Sequence, residues 1–291
     1  MRIINMSKIE KNSLLDVRDL SVIIERDEGI VRPLNGVSFS IQPGQAIGIV
    51  GESGCGKTMT SNAILRILPP GSKITSGQMQ FQAKEDDDPV DLVEIDSEGP
   101  EIRSIRGGDI SMIFQEPMTS LNPLFTVGEQ VSEVIRRHKN LNKAKAWVNA
   151  VELLDAVKIP NPDKRAFDYP FQLSGGQRQR VMIAIALACQ PKILIADEPT
   201  TALDVTIQAE ILALINMLKQ ETGTAVMFIT HDMAVVAQMA DRVVVMYQGK
   251  KVEEGTVHEI FNNPQHEYTK SLLSAVPKLG EMASKKYPEP M

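Results

Sequence analysis

Residues 51–58 read Gly51-Glu52-Ser53-Gly54-Cys55-Gly56-Lys57-Thr58, and this stretch decides the fold. The spacing G-x-x-x-x-G-K-[ST] is that of a phosphate loop. In such a loop glycines let backbone N–H groups converge on phosphates, the lysine adds a charge and the threonine hydroxyl can ligate Mg²⁺. Apolar residues 46–50 come before it and a helical pattern over 58–68 follows it. Because the mechanism requires a strand entering and a helix leaving, a glycine-rich turn without function is the weaker interpretation.

A second segment, residues 193–198, places two carboxylates at the end of an apolar run. Four apolar residues are typical of a buried parallel strand, and ligands of open α/β sheets bind at the carboxyl ends of such strands. We therefore predict that Asp197 holds Mg²⁺ and that Glu198 polarises an attacking water. A solvated pair of carboxylates is the alternative if the segment is considered alone.

A third segment, Leu173-Ser174-Gly175-Gly176-Gln177, opens a helical run over 177–188. The first turn of a helix exposes N–H groups and the positive end of the helix dipole, which suits an anion. Ordinary N-capping explains one serine and one glycine of this string, but not all five residues. The segment therefore predicts contact with a phosphate that another part of the assembly supplies.

Three single polar residues complete the pattern. Gln115 follows the apolar strand predicted over 110–114, where its amide can reach Mg²⁺ or water. His231 follows the strand predicted over 225–230, where a neutral imidazole can hydrogen-bond a γ-phosphate or the attacking water. Asp204 precedes the helix predicted over 205–221, where an N-cap role is equally available. Taken alone, each of the three is more often structural.

In this order the motifs resemble those of the nucleotide-binding subunits of ABC transporters, over roughly residues 14–260. The resemblance implies ATP and Mg²⁺ as cofactors and catalytic roles for Glu198, His231 and Gln115. It implies nucleotide contacts for residues 51–58, Ser174 to Gln177 and Asp204, the last residue of the D-loop segment Ala202-Leu203-Asp204. It implies metal contacts for Thr58, Gln115 and Asp197.

The resemblance also implies the architecture: an α/β P-loop NTPase cassette with a RecA-like core, an antiparallel β subdomain and an inserted α-helical subdomain. Alternating apolar and polar residues over 14–25 and 31–41 are typical of antiparallel strands with one solvated face. Helical periodicity replaces strands over about 119–172. We expect one ATP-binding domain over 12–277, with a C-terminal element at about 260–277, and a disordered tail over 278–291.

Two further segments narrow the family. Residues 115–123 read QEPMTSLNP, and residues 263–277 read NPQHEYTKSLLSAVP. Both are similar to segments of the importer branch that moves oligopeptides, dipeptides, nickel and some oligosaccharides. The resemblance implies an ATP-hydrolysing importer subunit with peptide as the favoured cargo and oligosaccharide or nickel as alternatives. A non-transport ABC ATPase is the alternative from another class, although it would normally show two fused cassettes or a long coiled coil.

The same resemblance implies partners. Two cassettes close head to tail, so that the phosphate loop of one and the signature of the other sandwich each nucleotide, and this branch favours a heterodimer. Two transmembrane permease subunits and, indirectly, an extracytoplasmic solute-binding protein complete the machine. The expected location is the cytoplasmic face of the bacterial inner membrane, with peripheral attachment through the permeases.

Composition excludes other classes. The net charge of −6 and the lack of a basic run argue against nucleic acid as a partner. Two cysteines give no disulfide framework. The longest apolar run, residues 181–189, is far short of the roughly 20 residues that span a bilayer. Related cassettes stack adenine on an aromatic residue, but residues 15–38 contain none, which leaves the planar cation of Arg26 as a candidate.

Overall fold

The computed structural model describes residues 13–115, 120–201 and 204–274. Strands and helices alternate along most of this length. The strands are β1 Leu15–Arg26, β2 Gly29–Ile41, β3 Ala46–Val50, β4 Ser72–Phe81, β5 Val90–Asp91, β6 Ile110–Ile113, β7 Ile193–Asp197, β8 Ala225–Thr230, β9 Arg242–Tyr247 and β10 Lys250–Thr256. The helices are α1 Lys57–Ile64, α2 Pro100–Ile105, α3 Val127–Lys139, α4 Lys143–Ala156, α5 Pro162–Arg165, α6 Gly175–Leu187, α7 Val205–Thr222, α8 Met233–Met239, α9 Val257–Asn262 and α10 Glu267–Ser274.

The strands form two sheets. The first has the order β2-β1-β4-β5 and is antiparallel. The second has the order β10-β9-β3-β8-β7-β6 and is parallel except for the pair β9 and β10. An antiparallel subdomain beside a parallel core with flanking helices confirms the predicted fold class.

Strand β8 shows how the second sheet is buried. Its side chains alternate between two faces, as the pleat of a strand requires. Ala225, Met227 and Ile229 pack with the antiparallel sheet, whereas Val226 and Phe228 pack with the helices on the opposite side. Both faces of the parallel sheet are therefore covered, and ligands have access only at its edges and strand ends.

Helix α1 is shorter than predicted. The apolar pattern favours a helix as far as residue 68, but α1 ends at Ile64 and Arg66 has a left-handed backbone with φ of 56°. Pro69 restricts the conformation of the residue before it and prevents a helix from continuing. The Arg106 guanidinium donates to the carbonyl oxygens of Leu65 at 2.6 Å and Arg66 at 2.8 Å, so the acceptors just after the helix end are satisfied.

The helical insertion lies between β6 and α6. Helix α3 begins with a capping box between Thr126 and Glu129. It buries Val127, Val131 and Ile135, whose spacing of four residues places them on one face of the helix. These side chains belong to the same core as one face of the parallel sheet, so the insertion is packed onto the nucleotide core.

Some predictions fall outside the described residues. These are the part of the Q-loop extension at 116–119, the D-loop residues Ala202 and Leu203, and residues 275–291 with the predicted disordered tail. The boundaries of the ATP-binding domain stay predictions. In the described ranges, no helix has the length and apolarity needed to cross a membrane.

Gly128 in the first turn of α3 provides a test of this packing. A Cβ there would lie 2.7 Å from the Ala166 carbonyl oxygen and 2.8 Å from Trp147 Cη2. We expect Gly128→Ala to lower the free energy of unfolding by about 1–3 kcal/mol, because overpacking forces backbone shifts. Denaturant unfolding measures this. The matched control is Gly175→Ala, in the first turn of α6, where a Cβ meets nothing within 4 Å and a change within about 0.5 kcal/mol is expected. Equal stability of both variants would contradict the tight contact.

Candidate functional site

The phosphate loop joins β3 to α1, and two of its glycines are required by close backbone approaches. Gly51 has φ of 151° and a Cβ there would lie 2.2 Å from the Met246 carbonyl oxygen. Gly56 has φ of 107° and a Cβ there would lie 2.4 Å from the Pro33 carbonyl oxygen. Any side chain at either position would displace neighbouring backbone, so the loop keeps this path only with glycine.

The loop presents hydrogen-bond donors. In the described part of the chain, the backbone N–H groups of Gly54 and Gly56 donate to no backbone acceptor. The Lys57 ammonium is buried and donates to the carbonyl oxygens of Gly51 at 2.6 Å and Glu52 at 2.9 Å. Free N–H groups beside a buried ammonium form a site for an anion such as phosphate.

Cys55 occupies the middle of the loop and is buried. Burial raises the pKa of its thiol, with Lys57 opposing the rise. A thiol that stays protonated is inert. The Cys55 side chain is therefore a small packing group, while its backbone remains part of the loop.

A cavity of about 330 Å³ lies against the loop. Its lining includes Ser53, Gly54, Gly56, Lys57 and Thr58 of the loop. Arg26, Val31 and Pro33 line another part, and Gln115 and Glu198 also contribute. Arg26 is thus placed beside the phosphate loop.

Glu198 is held by three side chains from separate parts of the chain. His231 Nδ1 lies 3.0 Å from Glu198 Oε1. Gln115 Nε2 donates to Oε2 at 3.0 Å, and the Thr201 hydroxyl donates to the same oxygen at 2.9 Å. The structure thus brings together the three predicted catalytic residues. Thr201 was not predicted, because nothing in its local sequence distinguishes it from an ordinary turn threonine.

The charge of Glu198 is favoured by these contacts. Burial raises its pKa, but the hydrogen bonds from His231 and Thr201 and the charges of His231 and Lys57 outweigh burial, so the pKa of Glu198 lies below its usual value. Its backbone has φ of 45°, a left-handed conformation that is rare for residues with a side chain. Such strain is concentrated at functional sites. An ionised carboxylate in a fixed position can polarise a water molecule.

Asp197 and Thr58 meet at the carboxyl end of β7. The Asp197 side chain is 1% exposed, and its Oδ1 has no hydrogen-bond partner in the described ranges. Burial and the nearby Glu198 raise the pKa of Asp197 to about 6, and the Thr58 hydroxyl and Lys57 oppose the rise. A buried carboxylate oxygen without a donor, beside a hydroxyl, fits a hard divalent cation such as Mg²⁺.

The signature segment does not line this cavity. Ser174 caps α6: its Oγ accepts the Gln177 N–H at 3.3 Å, and Gln177 Oε1 accepts the Ser174 N–H at 3.0 Å. The predicted N-cap is confirmed, and it leaves the Ser174 hydroxyl proton free to donate elsewhere. A Cβ at Gly176 would lie 3.0 Å from Ile207 Cγ2, whereas one at Gly175 would meet nothing within 4 Å. Packing in this chain therefore explains Gly176 but not Gly175.

Two further hydrogen bonds, from the Ile207 N–H to Asp204 and from Gln179 to Pro199, involve the segment that follows Glu198. Asp204 caps α7 by accepting the Ile207 N–H at 3.0 Å, which confirms its N-cap role. Gln179, which is 2% exposed, donates to the Pro199 carbonyl oxygen at 2.6 Å and ties the signature helix to the turn after Glu198. Sequence reasoning missed Gln179, because its position on α6 is no different from that of a surface glutamine.

Comparison with known sequence families gives two matches. Residues 34–201 match the family described as "ABC transporter". The chain belongs to the ABC transporter family. Residues 252–290 match the family described as "Oligopeptide/dipeptide transporter, C-terminal region", and this match includes the segment over residues 263–277.

Curated relatives of this ABC cassette include the "Glutathione import ATP-binding protein GsiA" of Shigella dysenteriae serotype 1 and that of Escherichia coli strain K12. Each is 50% identical over 281 residues, which is 97% of this chain and 45% of the relative. The chain thus spans about half the length of the curated relatives it matches.

Solved structures give the same fold. The ATP-binding cassette MJ0796, in a dimeric post-hydrolysis state bound to ADP and Pi, has a TM-score of 0.72 and 29% identity, covering 84% of this ABC cassette and 98% of that chain. The structure of cbiO1 from Clostridium perfringens, part of the ABC transporter complex cbiONQ, has a TM-score of 0.70 and 28% identity, covering 87% and 92%.

The raised pKa of Asp197 leads to a pH-dependent stability. Because its folded pKa of about 6 exceeds the ordinary 3.8, the native state holds the proton more tightly. Ionisation of Asp197 therefore destabilises the native state. This destabilisation is absent below pH 3.8 and reaches its full size above about pH 6. We expect Asp197→Asn, without Mg²⁺, to raise the free energy of unfolding at neutral pH by about 1–3 kcal/mol.

Thermal unfolding across this pH range measures the effect, and the gain should vanish toward the acidic end. Mg²⁺ should stabilise the native chain and not the variant. Asp88→Asn, at an exposed position, is the matched control. If Asp197→Asn were less stable than the native chain at every pH, the Asp197 carboxylate would instead make contacts that stabilise the native state.

Proposed function

We propose that this chain is the ATP-hydrolysing subunit of an ABC importer for dipeptides or oligopeptides. The observation that carries the proposal is the meeting of Gln115, Glu198 and His231 beside a phosphate loop, in a chain whose signature segment does not line that cavity. Such a chain contains one half of each of two different nucleotide sites.

ATP binding follows from the loop. The free N–H groups and the Lys57 ammonium would hold the β- and γ-phosphates, for which Lys57 leaves the carbonyl oxygens it now contacts. Thr58 and Asp197 would hold Mg²⁺, which neutralises phosphate charge when bound. Gln115 is a further proposed metal ligand, and its amide nitrogen already contacts Glu198, leaving the amide oxygen to face the ion. Arg26 is the proposed stacking partner for adenine.

Hydrolysis is assigned to Glu198 and its partners. The ionised carboxylate accepts a hydrogen bond from the attacking water and orients it. His231, which is 64% exposed, keeps one ring nitrogen on Glu198 and has the other available for the γ-phosphate. The Gln115 and Thr201 contacts hold Glu198 in place, so that little reorganisation is needed at the moment of attack.

Closure is assigned to the signature. The N–H groups of Gly175 and Gly176, the Ser174 hydroxyl and the dipole of α6 would cover the γ-phosphate held by a second cassette, with Gln177 and Asp204 close to the joint. Each helix-end contact contributes about 0.3–2 kcal/mol. Several of them together reach the roughly 5.5 kcal/mol that moves a two-state equilibrium from 1:99 to 99:1. Hydrolysis removes the γ-phosphate and with it the closed state.

Import of peptide-like solutes is supported by the C-terminal family match and by relatives whose names describe glutathione import. Because the chain spans about half the length of those relatives, we propose for it only the class of peptide-like solutes and not glutathione itself. The proposed partners are a second cassette, two permease subunits and, indirectly, an extracytoplasmic binding protein. The chain would lie at the cytoplasmic face of the membrane through the permeases. Oligosaccharides or nickel are the alternative cargo.

Glu198→Gln tests hydrolysis. The amide keeps the size of the side chain but cannot act as a base, so we expect turnover to fall at least about 100-fold, within the usual contribution of acid–base catalysis. ATP binding should remain, and a closed ATP-bound dimer should accumulate. Phosphate release and gel filtration with ATP measure the two effects.

Uptake of a labelled peptide by membranes that carry the assembled transporter should also stop in Glu198→Gln. Glu210→Gln is the control, because Glu210 pairs with Arg180 on the helices and lies outside the cavity. Normal turnover in Glu198→Gln would show that another residue is the catalytic base. Normal ATPase activity of the native transporter without any peptide uptake would contradict the transport assignment.

Gly175→Asp tests the signature. A carboxylate in the first turn of α6 interacts favourably with the helix dipole but repels the γ-phosphate of a partner. We expect ATP affinity and thermal stability of the isolated chain to be retained, and ATP-dependent dimerisation to weaken at least about tenfold, equivalent to 1.4 kcal/mol. Gly175→Asn is the neutral control of the same size. If both variants dimerise like the native chain, the signature does not contact nucleotide in trans.

A further inference from the structure

The C-terminal segment, described as far as residue 274, lies far along the chain from the phosphate loop. In the structure its helix α10 packs beside the phosphate loop. Tyr268 is partly buried, and the Glu52 backbone N–H donates to the Tyr268 hydroxyl oxygen at 2.8 Å. The two residues are 216 positions apart, and one of them belongs to the phosphate loop.

A chain of contacts places Tyr268. The Glu253 carboxylate of β10 accepts the backbone N–H groups of Gln265 at 2.7 Å and His266 at 3.0 Å. His266 Nδ1 in turn accepts the Tyr268 N–H at 3.1 Å and caps the first turn of α10. The Tyr268 ring packs on the Tyr247 ring with centroids 4.2 Å apart. The position of the hydroxyl is thus set by both its backbone and its ring.

The contact fixes one particular peptide group. The Glu52 N–H and the Gly51 carbonyl belong to the same planar unit. Lys57 Nζ donates to the Gly51 oxygen at 2.6 Å, while Tyr268 accepts from the N–H at the other end. Rotation of this peptide about its neighbouring bonds would break both hydrogen bonds. Gly51, without a side chain, is where such a rotation meets least resistance.

We propose that Tyr268 is a positioning residue for nucleotide binding: it holds the Gly51–Glu52 peptide in place when Lys57 moves to the phosphates. This rests on the proposed function, in which Lys57 serves the nucleotide. Without a nucleotide, two side chains hold the peptide. With a nucleotide, Tyr268 alone holds it, and the C-terminal element becomes part of the phosphate-binding apparatus.

The peptide lies at the start of the loop, before the N–H groups that face the phosphates. The orientation of this peptide sets the path of the loop, and that path does not depend on the γ-phosphate. It therefore matters equally for the binding of ATP and of ADP. Loss of the contact therefore weakens uniform binding, which raises KM and leaves kcat nearly unchanged. A residue with a merely structural role would instead lower the unfolding temperature without this separation.

Tyr268→Phe in the full chain removes the hydroxyl and keeps the ring. Tyr247→Phe is the matched control, because it alters the other ring of the pair and its hydroxyl contacts the exposed Gln248 side chain instead of the loop. The measurements are hydrogen exchange of the loop amides without nucleotide, titration with ATP and with ADP, and steady-state ATPase kinetics. Thermal unfolding of each variant checks the fold.

We expect faster exchange at the Glu52 amide and about two- to tenfold weaker binding of both nucleotides in Tyr268→Phe, the range for one neutral hydrogen bond. KM should rise by the same factor, with kcat and unfolding temperature retained, and Tyr247→Phe should match the native chain. Native nucleotide affinity in Tyr268→Phe overturns the proposal, and so does an equal loss in Tyr247→Phe. If the native chain itself binds no nucleotide, the proposed function fails and this proposal fails with it.

Discussion

The close approach of the β3 exit to β9 is the constraint on which the site depends. With the Met246 carbonyl oxygen 2.2 Å from where a Gly51 Cβ would lie, the chain can leave the parallel sheet only through a residue without a side chain. Because β9 pairs directly with β3, the register of the sheet sets this path. This path determines which N–H groups of the loop are free and where the Lys57 ammonium lies.

The consecutive acidic residues at the end of β7, Asp197 and Glu198, lie in two different environments. Asp197 is buried with an unpartnered oxygen and a raised pKa, whereas Glu198 is surrounded by donors and has a lowered pKa. Asp197 is the last residue of β7, whereas Glu198 follows it with a left-handed backbone, so each side chain meets a different set of groups. One is thereby suited to a cation and the other to a water molecule.

The sequence predicts those parts of the molecule that depend on local spacing. The loop over 51–58 follows from its motif, and the strand before Asp197 and the cap at Ser174 follow from periodicity and capping chemistry. Thr201, Gln179 and the Tyr268 contact could not be found this way, because each depends on which distant backbone group packing places beside it. The early end of α1 had a local cause in Pro69, but the two carbonyl oxygens just after the helix are satisfied by Arg106, about 40 residues away.

The left-handed backbone at Glu198 has a consequence for how the molecule can vary. Glycine adopts this conformation readily, whereas a glutamate there carries a conformational cost of about 1–3 kcal/mol. The N–H of Glu198 continues the β7–β8 ladder by donating to the Ile229 oxygen at 2.8 Å, so the sheet itself enforces the conformation. The chain is thus least relaxed at the residue on which the chemistry centres. A substitution that loosens the last rung of the ladder would relieve the strain and, in doing so, release the carboxylate from its three partners.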